Sequence, residues 1–379
     1  MKKILILIIS FSLLMLTPVN QVRAENRSIS NYQLKKVIKK MSLQQKIAQM
    51  YIVPVQSNQQ DTATAIKEYQ PGGIILFGNN FQNQTRQQFI TNLDNFQSQA
   101  KLPLLIGTDQ EGGTVSRLSS NPQLTSNRNF PSPQQVYQAG GKHAVADEAG
   151  ATAKILHSLK INLNFAPVAD VSDNQKSFIY SRTLGLNYQQ TAACIKAEVL
   201  AIQKNQVAAS LKHFPGYGSA GDTHTGFAST DKTLKNFEKN DFLPFRAGIK
   251  AGAQTVLVSH IFVNSIDADY PASLSPKVHK ILRKKLHFKK VIITDDLTMG
   301  AITKFAAEKH VSADLLAVKA GNDMLLSNDI SVGIPAIVQA IQNHQVKESQ
   351  INASVYRILR LKRELGILNS QNIKNYQNN

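Results

Sequence analysis

The feature that most constrains the fold is a regular alternation of short apolar runs with longer amphipathic segments. Segments with helical periodicity, such as 86–100, 188–205, 234–252 and 311–321, separate most of the apolar runs. Near-continuous apolar strands suit a parallel sheet that is covered by helices. Eight such units predict an α/β fold, a single-domain (β/α)8 TIM-like barrel. The predicted strands cover residues 50–55, 72–77, 103–109, 162–170, 207–214, 255–261, 290–296 and 323–327.

A doubly wound open sheet is the alternative fold for the same alternation. Dinucleotide-binding sheets of that kind carry G-x-G-x-x-G after their first strand, and no such motif follows residues 50–55. The barrel is therefore the expected architecture.

The N-terminus predicts export. Lys2 and Lys3 precede an apolar run at 4–17 that is short for a membrane span, and Val-Arg-Ala stands before Glu25. We expect a signal peptide at 1–24, with an uncleaved anchor as the alternative. The expected remainder is a flexible linker at 25–33, the barrel domain at 34–366 and a polar, frayed tail at 367–379. The mature chain is predicted to be secreted or extracytoplasmic, without a stable membrane anchor.

The charge balance narrows the partners. The chain has 43 Lys and Arg against 25 Asp and Glu, a formal net charge of +18. Such a charge favours anionic partners, but the basic residues are scattered without interleaved aromatics, so we expect no nucleic-acid partner. An anionic cell wall is the expected electrostatic partner, and the alternative is that the charge serves solubility alone.

The single cysteine, Cys194, excludes an internal disulfide and is interpreted as core filler.

Polar or ionisable residues end five of the predicted strands. In a barrel of parallel strands all the carboxyl ends lie on one face, where active sites form. These residues are therefore expected to converge on one pocket, which indicates an enzyme. They are Asp109, Asp170, Lys212 with His213, Ser259 with His260, and Asp295 with Asp296.

The carboxylates at two strand ends have several possible roles. Adjacent residues on a strand point in opposite directions, so only one of Asp295 and Asp296 can face the pocket. That carboxylate could be a metal ligand, a general base or a covalent nucleophile, whereas a helix N-cap pair without chemistry is the alternative. Asp109 could accept hydrogen bonds from sugar hydroxyls or form a salt bridge with Arg117 that holds the loop.

The stretch "LKHFPGYGSAGDTHTG" at 211–226 predicts a strand end followed by a mobile Gly-rich loop. A turn could bring Asp222 and His224 into contact, and the carboxylate would then fix the imidazole tautomer for proton transfer. A metal site built from His213, Asp222, His224 and His260 is the alternative, although the spacing is not that of common metal motifs. No G-x-S-x-G elbow indicates a serine hydrolase.

Six motifs in order resemble glycoside hydrolase family 3, specifically its bacterial β-N-acetylglucosaminidase (β-N-acetylhexosaminidase) branch in the single-domain form. The resemblance extends from about residue 34 to 366, almost the whole mature chain. The motifs are "TDQEGG", "NFAPVADV", "SRTLG", "KHFPG" with "DTH", "ITDDLTM" and "AGNDMLL".

The resemblance implies an exo-acting, retaining enzyme that removes terminal N-acetylglucosamine from peptidoglycan-derived glycans or muropeptides. Asp295 matches the nucleophile, and His224 matches the general acid/base with Asp222 as its orienting partner. Met299 is expected near the acetamido group. No metal or organic cofactor is implied. The residues that match the sugar-holding positions are Asp109, Arg117, Arg182, Lys212 and His213.

The loop departs from the family pattern at three points. Tyr217-Gly218 stands where His-Gly is usual, Thr223 stands where Ser is common, and the loop is one residue shorter. Alternative functions are a β-N-acetylglucosaminide phosphorylase, since a histidine acid/base repels phosphate less than Glu does, a β-glucosidase, and a non-catalytic basic cell-wall-binding protein.

Overall fold

Eight parallel strands close into a barrel in the computed structural model, which describes residues 29–378. Each strand pairs with the next in the chain, and β8 closes the ring by pairing with β1. The (β/α)8 prediction is confirmed. The strands are β1 (Tyr51–Pro54), β2 (Gly73–Leu76), β3 (Leu105–Thr108), β4 (Leu163–Asn164), β5 (Ala208–Phe214), β6 (Thr255–Val258), β7 (Val291–Asp296) and β8 (Met324–Leu326).

The fourth strand is much shorter than the predicted 162–170. Pro167 has no N–H to donate, so the regular ladder cannot continue through it. The chain still runs beside β5, because Lys212 N donates to Pro167 O and Ala169 N donates to Lys212 O. This segment therefore reaches the mouth of the barrel as extended chain.

Helices surround the barrel. The segment predicted as one helix at 234–252 forms two helices, and the break places the Asp241 carboxylate 2.9 Å from Lys232 Nζ. The helices are α1 (Asn31–Lys40), α2 (Leu43–Ala48), α3 (Gln59–Tyr69), α4 (Arg86–Gln99), α5 (Pro133–Ser158), α6 (Tyr188–Lys204), α7 (Leu234–Lys239), α8 (Phe242–Lys250), α9 (Pro276–Lys284), α10 (Gly300–Lys309), α11 (Ala313–Ala320), α12 (Ile330–Gln342), α13 (Glu348–Glu364) and α14 (Ser370–Asn378).

The C-terminal segment of the chain can be compared with its prediction, whereas most of the N-terminal segment cannot. The predicted signal peptide lies outside the described residues, so its boundary stays a prediction. The flexible linker predicted at 25–33 extends too far, because Ile29 is buried and α1 begins at Asn31. The expectation of a frayed tail is wrong for 370–378, which forms α14 because Ile373 is buried against the core. Within the described part of the chain, no helix has the length and apolar character needed to span a membrane. Cys194 is buried on α6, as core filler would be.

Loops at the carboxyl ends of the strands carry two small sheets. A hairpin of Gln110–Gly112 and Val115–Ser116 follows β3. Ser229–Thr230, after β5, pairs in parallel with Phe262–Val263, after β6. These pairings fix the long loops above the barrel and so shape its mouth.

Candidate active site

A cavity of about 520 Å³ opens at the carboxyl ends of the strands. Its volume lies within the range of roughly 300–1,000 Å³ that is typical of small-molecule sites. The barrel topology brings all nine sequence-predicted site residues to its wall. They are Asp109, Arg117, Arg182, Lys212, His213, Asp222, His224, Asp295 and Met299.

A cluster of charges lies at one wall of the cavity, which Asp109, Arg182 and Lys212 line. Lys212 Nζ lies 2.7 Å from Asp109 Oδ1 and 2.5 Å from Glu111 Oε1. Arg182 donates to both oxygens of Glu111, with Nη2–Oε1 at 2.7 Å and Nε–Oε2 at 3.0 Å. We call Asp109, Glu111, Arg182 and Lys212 the charge cluster. Charge-assisted bonds of this kind hold each side chain in one geometry.

Glu111 and Lys212 stay ionised although both side chains are buried. Burial alone would raise the pKa of Glu111, but Lys212 and Arg182 hold that pKa well below its ordinary value. Burial would lower the pKa of Lys212, whereas Asp109 and Glu111 raise it above its ordinary value. The cavity wall therefore offers fixed charges and donors to a polar ligand.

Lys212 and His213 both face the cavity although they are consecutive in β5. The register of β5 against β6 shifts between Leu211 and Phe214, so strict alternation does not hold there. The buried Asp170 carboxylate accepts from His213 Nδ1 at 2.7 Å and from His213 N at 3.0 Å. That leaves Nε2 of the imidazole toward the cavity, 3.2 Å from Arg182 Nη2.

Asp295 and Asp296 both line the cavity, so the prediction that only one of them can face it is wrong, but their hydrogen bonds differ. Asp296 Oδ1 accepts from Thr298 N and Oγ1, so this carboxylate closes its own turn. Burial would raise the pKa of Asp295, but the nearby His260 and His213 lower it below its ordinary value. Asp295 is thus a carboxylate anion at the cavity wall, the form that a nucleophile needs.

His260 supports this strand end and does not join a metal site. Its Nε2 donates to Asp296 O at 2.8 Å, and its Nδ1 is 2.7 Å from Ser273 Oγ. Burial lowers the pKa of His260, which favours the neutral ring. Among residues 29–378, no three His, Cys, Asp or Glu side chains gather where they could hold a metal ion.

The loop after β5 carries the Asp222–His224 pair. His224 Nδ1 lies 2.6 Å from Asp222 Oδ1, which also accepts from His224 N at 2.9 Å. A carboxylate only accepts, so Nδ1 carries the proton and Nε2 is the atom available for proton transfer. The His224 side chain is 56% exposed, and its ring packs 5.6 Å from that of Phe178.

Arg117 and Met299 complete the cavity wall. Arg117 Nη2 lies 3.6 Å from Asp109 Oδ2, and its guanidinium lies 5.9 Å from the Phe77 ring. Its Nε is buried and makes no hydrogen bond to the described residues. The Arg117–Asp109 contact is long, so both groups keep capacity for a ligand. Met299, largely buried, precedes α10 and gives the wall an apolar surface.

Sequence reasoning missed two residues of this site. Glu111 holds Arg182 and Lys212, and Phe178 packs against His224. Glu111 was detectable in principle, because it stands two residues after Asp109 and an extended chain places such residues on one face. Phe178 lies in a loop without regular structure, and no sequence pattern indicates its contact.

Comparison with known proteins agrees with this geometry. The family described as "Glycosyl hydrolase family 3 N terminal domain" matches residues 42–361. A solved structure of a glycoside hydrolase family 3 β-N-acetylglucosaminidase from Paenibacillus sp. str. FPU-7 is similar with a TM-score of 0.79 and 28% identity, over 89% of this chain and 68% of that one.

Two curated relatives show the same similarity in sequence. "Beta-hexosaminidase A" of Pseudoalteromonas piscicida is 31% identical over 328 residues, 79% of this chain. The match spans 54% of that relative, so this chain covers about half of its length. "Beta-hexosaminidase" of Stenotrophomonas maltophilia (strain K279a) is 35% identical over 239 residues, 60% of this chain and 68% of the relative. As its motifs predicted, this chain belongs to glycosyl hydrolase family 3 and is a glycoside hydrolase.

Proposed function

We propose that this protein is an exo-acting, retaining β-N-acetylglucosaminidase. One observation carries the proposal: a buried carboxylate anion, Asp295, and a carboxylate-oriented imidazole, His224, line the same cavity. Retaining glycosidases need a nucleophile and a proton donor on the two sides of the glycosidic bond. Here the imidazole takes the role that a second carboxyl group has in most such enzymes.

In the first step the carboxylate of Asp295 attacks the anomeric carbon. The bond from that carbon to the glycosidic oxygen breaks, and the protonated His224 gives its Nε2 proton to the departing oxygen. The product is a glycosyl ester on Asp295 and a neutral His224. Asp222, which accepts the Nδ1 proton at 2.6 Å, stabilises the charged ring before transfer and fixes its orientation throughout.

In the second step water replaces the leaving group. Neutral His224 Nε2 removes a proton from water, and the water oxygen attacks the anomeric carbon while the ester bond to Asp295 breaks. The sugar leaves with its original anomeric configuration, because two inversions occur. His224 is again protonated and Asp295 is again a carboxylate.

The charge cluster is proposed to hold the hydroxyl groups of the terminal sugar. Asp109 accepts hydrogen bonds, and Arg182, Lys212 and His213 donate or accept at positions fixed by their contacts, those of Arg182 and Lys212 with Glu111 behind the wall included. Such pre-oriented groups place the anomeric carbon without reorganisation during the reaction.

Specificity for the N-acetyl sugar is proposed from the apolar wall and from the relatives. Met299 offers an apolar contact for the acetamido methyl. The relatives from Pseudoalteromonas and Stenotrophomonas are named as β-hexosaminidases, and the Paenibacillus structure is that of a β-N-acetylglucosaminidase. The proposed natural substrates are peptidoglycan-derived glycans or muropeptides with a terminal N-acetylglucosamine.

Export is part of the same proposal. The N-terminal sequence up to Ala24 has the features of a signal peptide, and the net charge of +18 favours association with an anionic cell wall. Sequencing the N-terminus of protein from the culture medium or wall fraction should give Glu25 first. Retention of the whole chain in the cell interior would contradict it.

The test is hydrolysis of 4-nitrophenyl β-N-acetylglucosaminide beside the β-glucoside by residues 25–379. We expect strong preference for the acetamido sugar and a loss of at least about a thousandfold in Asp295→Asn. Asp269→Asn is the control, because it makes the same chemical change at an exposed site away from the cavity. Full activity in Asp295→Asn would refute the nucleophile assignment.

The same assay separates hydrolysis from phosphorolysis. In phosphate buffer the hydrolase should release free N-acetylglucosamine at the rate seen without phosphate. Release of the sugar 1-phosphate instead would show that phosphate, not water, attacks the glycosyl enzyme.

A further inference from the structure

Thr223, between Asp222 and His224, points away from the solvent that surrounds His224. It is fully buried, whereas the His224 side chain is 56% exposed. Thr223 Oγ1 lies 2.7 Å from the Tyr217 hydroxyl, and Thr223 N donates to the same hydroxyl at 3.1 Å. The Tyr217 hydroxyl therefore satisfies both the backbone N–H and the side-chain hydroxyl of Thr223.

Tyr217 is in turn fixed to the sugar-binding side of the cavity. Its backbone N–H donates at 2.7 Å to Asp170, the carboxylate that also holds His213. Its ring makes an edge contact with His213 at 5.5 Å between centroids and packs 5.8 Å from Phe178, which itself contacts His224. Tyr217 thus joins the buried part of the site to the loop.

The remaining attachments of the loop act on its backbone. Thr223 O and His224 O accept from Ala301 N and Gly300 N, both at 3.1 Å, at the start of α10. Without the phenol hydroxyl, the buried N–H and Oγ1 of Thr223 would lose a partner, and an unsatisfied buried polar group is costly. The loop would then relax toward solvent and carry the imidazole with it.

We propose that Tyr217 is a positioning residue that holds the Asp222–His224 pair in register with the sugar-binding residues through its hydroxyl contacts to Thr223. The inference rests on the proposed function, because it concerns the proton transfer assigned to His224. Tyr217 and Thr223 are also two positions at which the loop departs from the pattern of the family it resembles, and the structure places them in contact.

The first test is Tyr217→Phe, which removes the hydroxyl and keeps the ring contacts. A 4-nitrophenolate leaves with little protonation, whereas the alkoxide of a β-1,4-linked N-acetylglucosamine disaccharide needs a proton donor. We expect kcat for the disaccharide to fall about tenfold, kcat/KM for the nitrophenyl sugar to fall less than about threefold, and KM to change little. Tyr376→Phe is the control, because it removes a hydroxyl that donates to Gln45 far from the cavity. This variant should change the activity on neither substrate.

The decisive measurement is a double-mutant cycle on the disaccharide. If Tyr217 acts through His224, Tyr217→Phe should cause no further loss in a His224→Ala background. A purely structural role predicts the same tenfold loss in both backgrounds, and that result would overturn the proposal.

Two variants of Thr223 test the contact from its other side. Thr223→Ser keeps the hydroxyl and should retain nearly full disaccharide activity, whereas Thr223→Val should reproduce the loss seen in Tyr217→Phe. Equal activity of the Ser and Val variants would contradict the proposal, even if Tyr217→Phe did not fold.

Failure of this inference is distinguishable from failure of the proposed function. Full disaccharide activity in His224→Ala would refute the acid/base role itself. A large loss in His224→Ala together with wild-type activity in Tyr217→Phe would refute only the positioning role.

Discussion

Two buried lysines lie at opposite ends of the barrel in opposite electrostatic surroundings. Lys212, 2% exposed at the mouth, contacts the carboxylates of Asp109 and Glu111, and its pKa is raised. Lys362, fully buried on α13, has Gln49 Oε1 at 2.8 Å, just before β1. Burial alone lowers the pKa of Lys362 to about 7.

The difference shows that burial by itself does not set the charge of a lysine. Both side chains lose their hydration, but only Lys212 gains opposite charges at short distance. Lys212 can therefore keep a permanent positive charge at the mouth of the barrel for binding. At the opposite end of the barrel, burial disfavours the charged form of Lys362. Substitution of Lys362, or of a carboxylate that contacts Lys212, tests this difference.

The largest expected effect comes from Glu111→Gln. The variant leaves Lys212 and Arg182 without the carboxylate that compensates both, and breaking a buried ion pair costs about 3–5 kcal/mol. Urea unfolding at pH 7 should show this loss in the free energy of unfolding. A loss below about 1 kcal/mol would mean that solvent or Asp109 replaces the missing charge.

The Glu111 carboxylate should also make the free energy of unfolding depend on pH in the acid range. The folded-state pKa of Glu111 lies below its ordinary 4.5, so its stabilisation is complete above about pH 4.5 and is lost as the pH falls through the folded pKa. The difference in stability between the native chain and Glu111→Gln should therefore shrink with acidification. A difference independent of pH would contradict the ionised state.

Lys362→Met should stabilise the protein, whereas Glu111→Gln should destabilise it. It removes a charge that the folded state disfavours and keeps the apolar volume, so stability at pH 7 should rise by on the order of 3 kcal/mol. Lys196→Met, at an exposed lysine in the middle of α6, is the control and should change stability little, because this lysine keeps its hydration in the folded state. A destabilised Lys362→Met would show that the bond to Gln49 outweighs the burial of the charge.

The gain from Lys362→Met should vanish at high pH. The folded pKa of Lys362, about 7, lies below the ordinary 10.5, so the unfolded chain binds more protons between these values and native stability rises with pH there. The free energies of unfolding of the native chain and of Lys362→Met, measured from pH 7 to 10.5, should converge. A constant difference would place the effect in packing instead of charge.

The smallest expected effect on stability is that of Asp222→Asn. Its partner His224 is 56% exposed, and exposed pairs contribute roughly 0–1 kcal/mol. Urea unfolding should therefore change little while disaccharide hydrolysis falls strongly, the reverse of a core defect. A large loss of stability would indicate that the pair holds the loop and not only the imidazole.

Much of the fold could be predicted from the apolar runs. Seven predicted strands match β-strands of the barrel within a few residues, because a strand buried on both faces is apolar along its whole length. The fourth was overestimated because Pro167 was included in a ladder to which it cannot donate. The helix at 234–252 was predicted without its break, which falls at Asn240, where the backbone leaves helical geometry.

The site was predictable in location but not in detail. Asp109, Lys212, His213 and Asp295 end strands, and parallel strands bring their ends to one face. Glu111 was missed because its role is to hold Lys212 and Arg182, and both residues are distant from it in sequence. No local pattern distinguishes a paired carboxylate from an unpaired one.

The amino-acid sequence alone was enough to predict the barrel, the face on which the polar strand ends meet, and the residue types available for glycoside chemistry. These follow from periodicity and chain direction, which are local properties. The contact of Lys212 with a carboxylate 103 residues away, the burial of His213 beside the exposure of His224, and the contact of Tyr217 with Thr223 arise only in the folded chain. Charge, pKa and position depend on solvent exclusion and on neighbours from other strands, and only the folded chain brings those together.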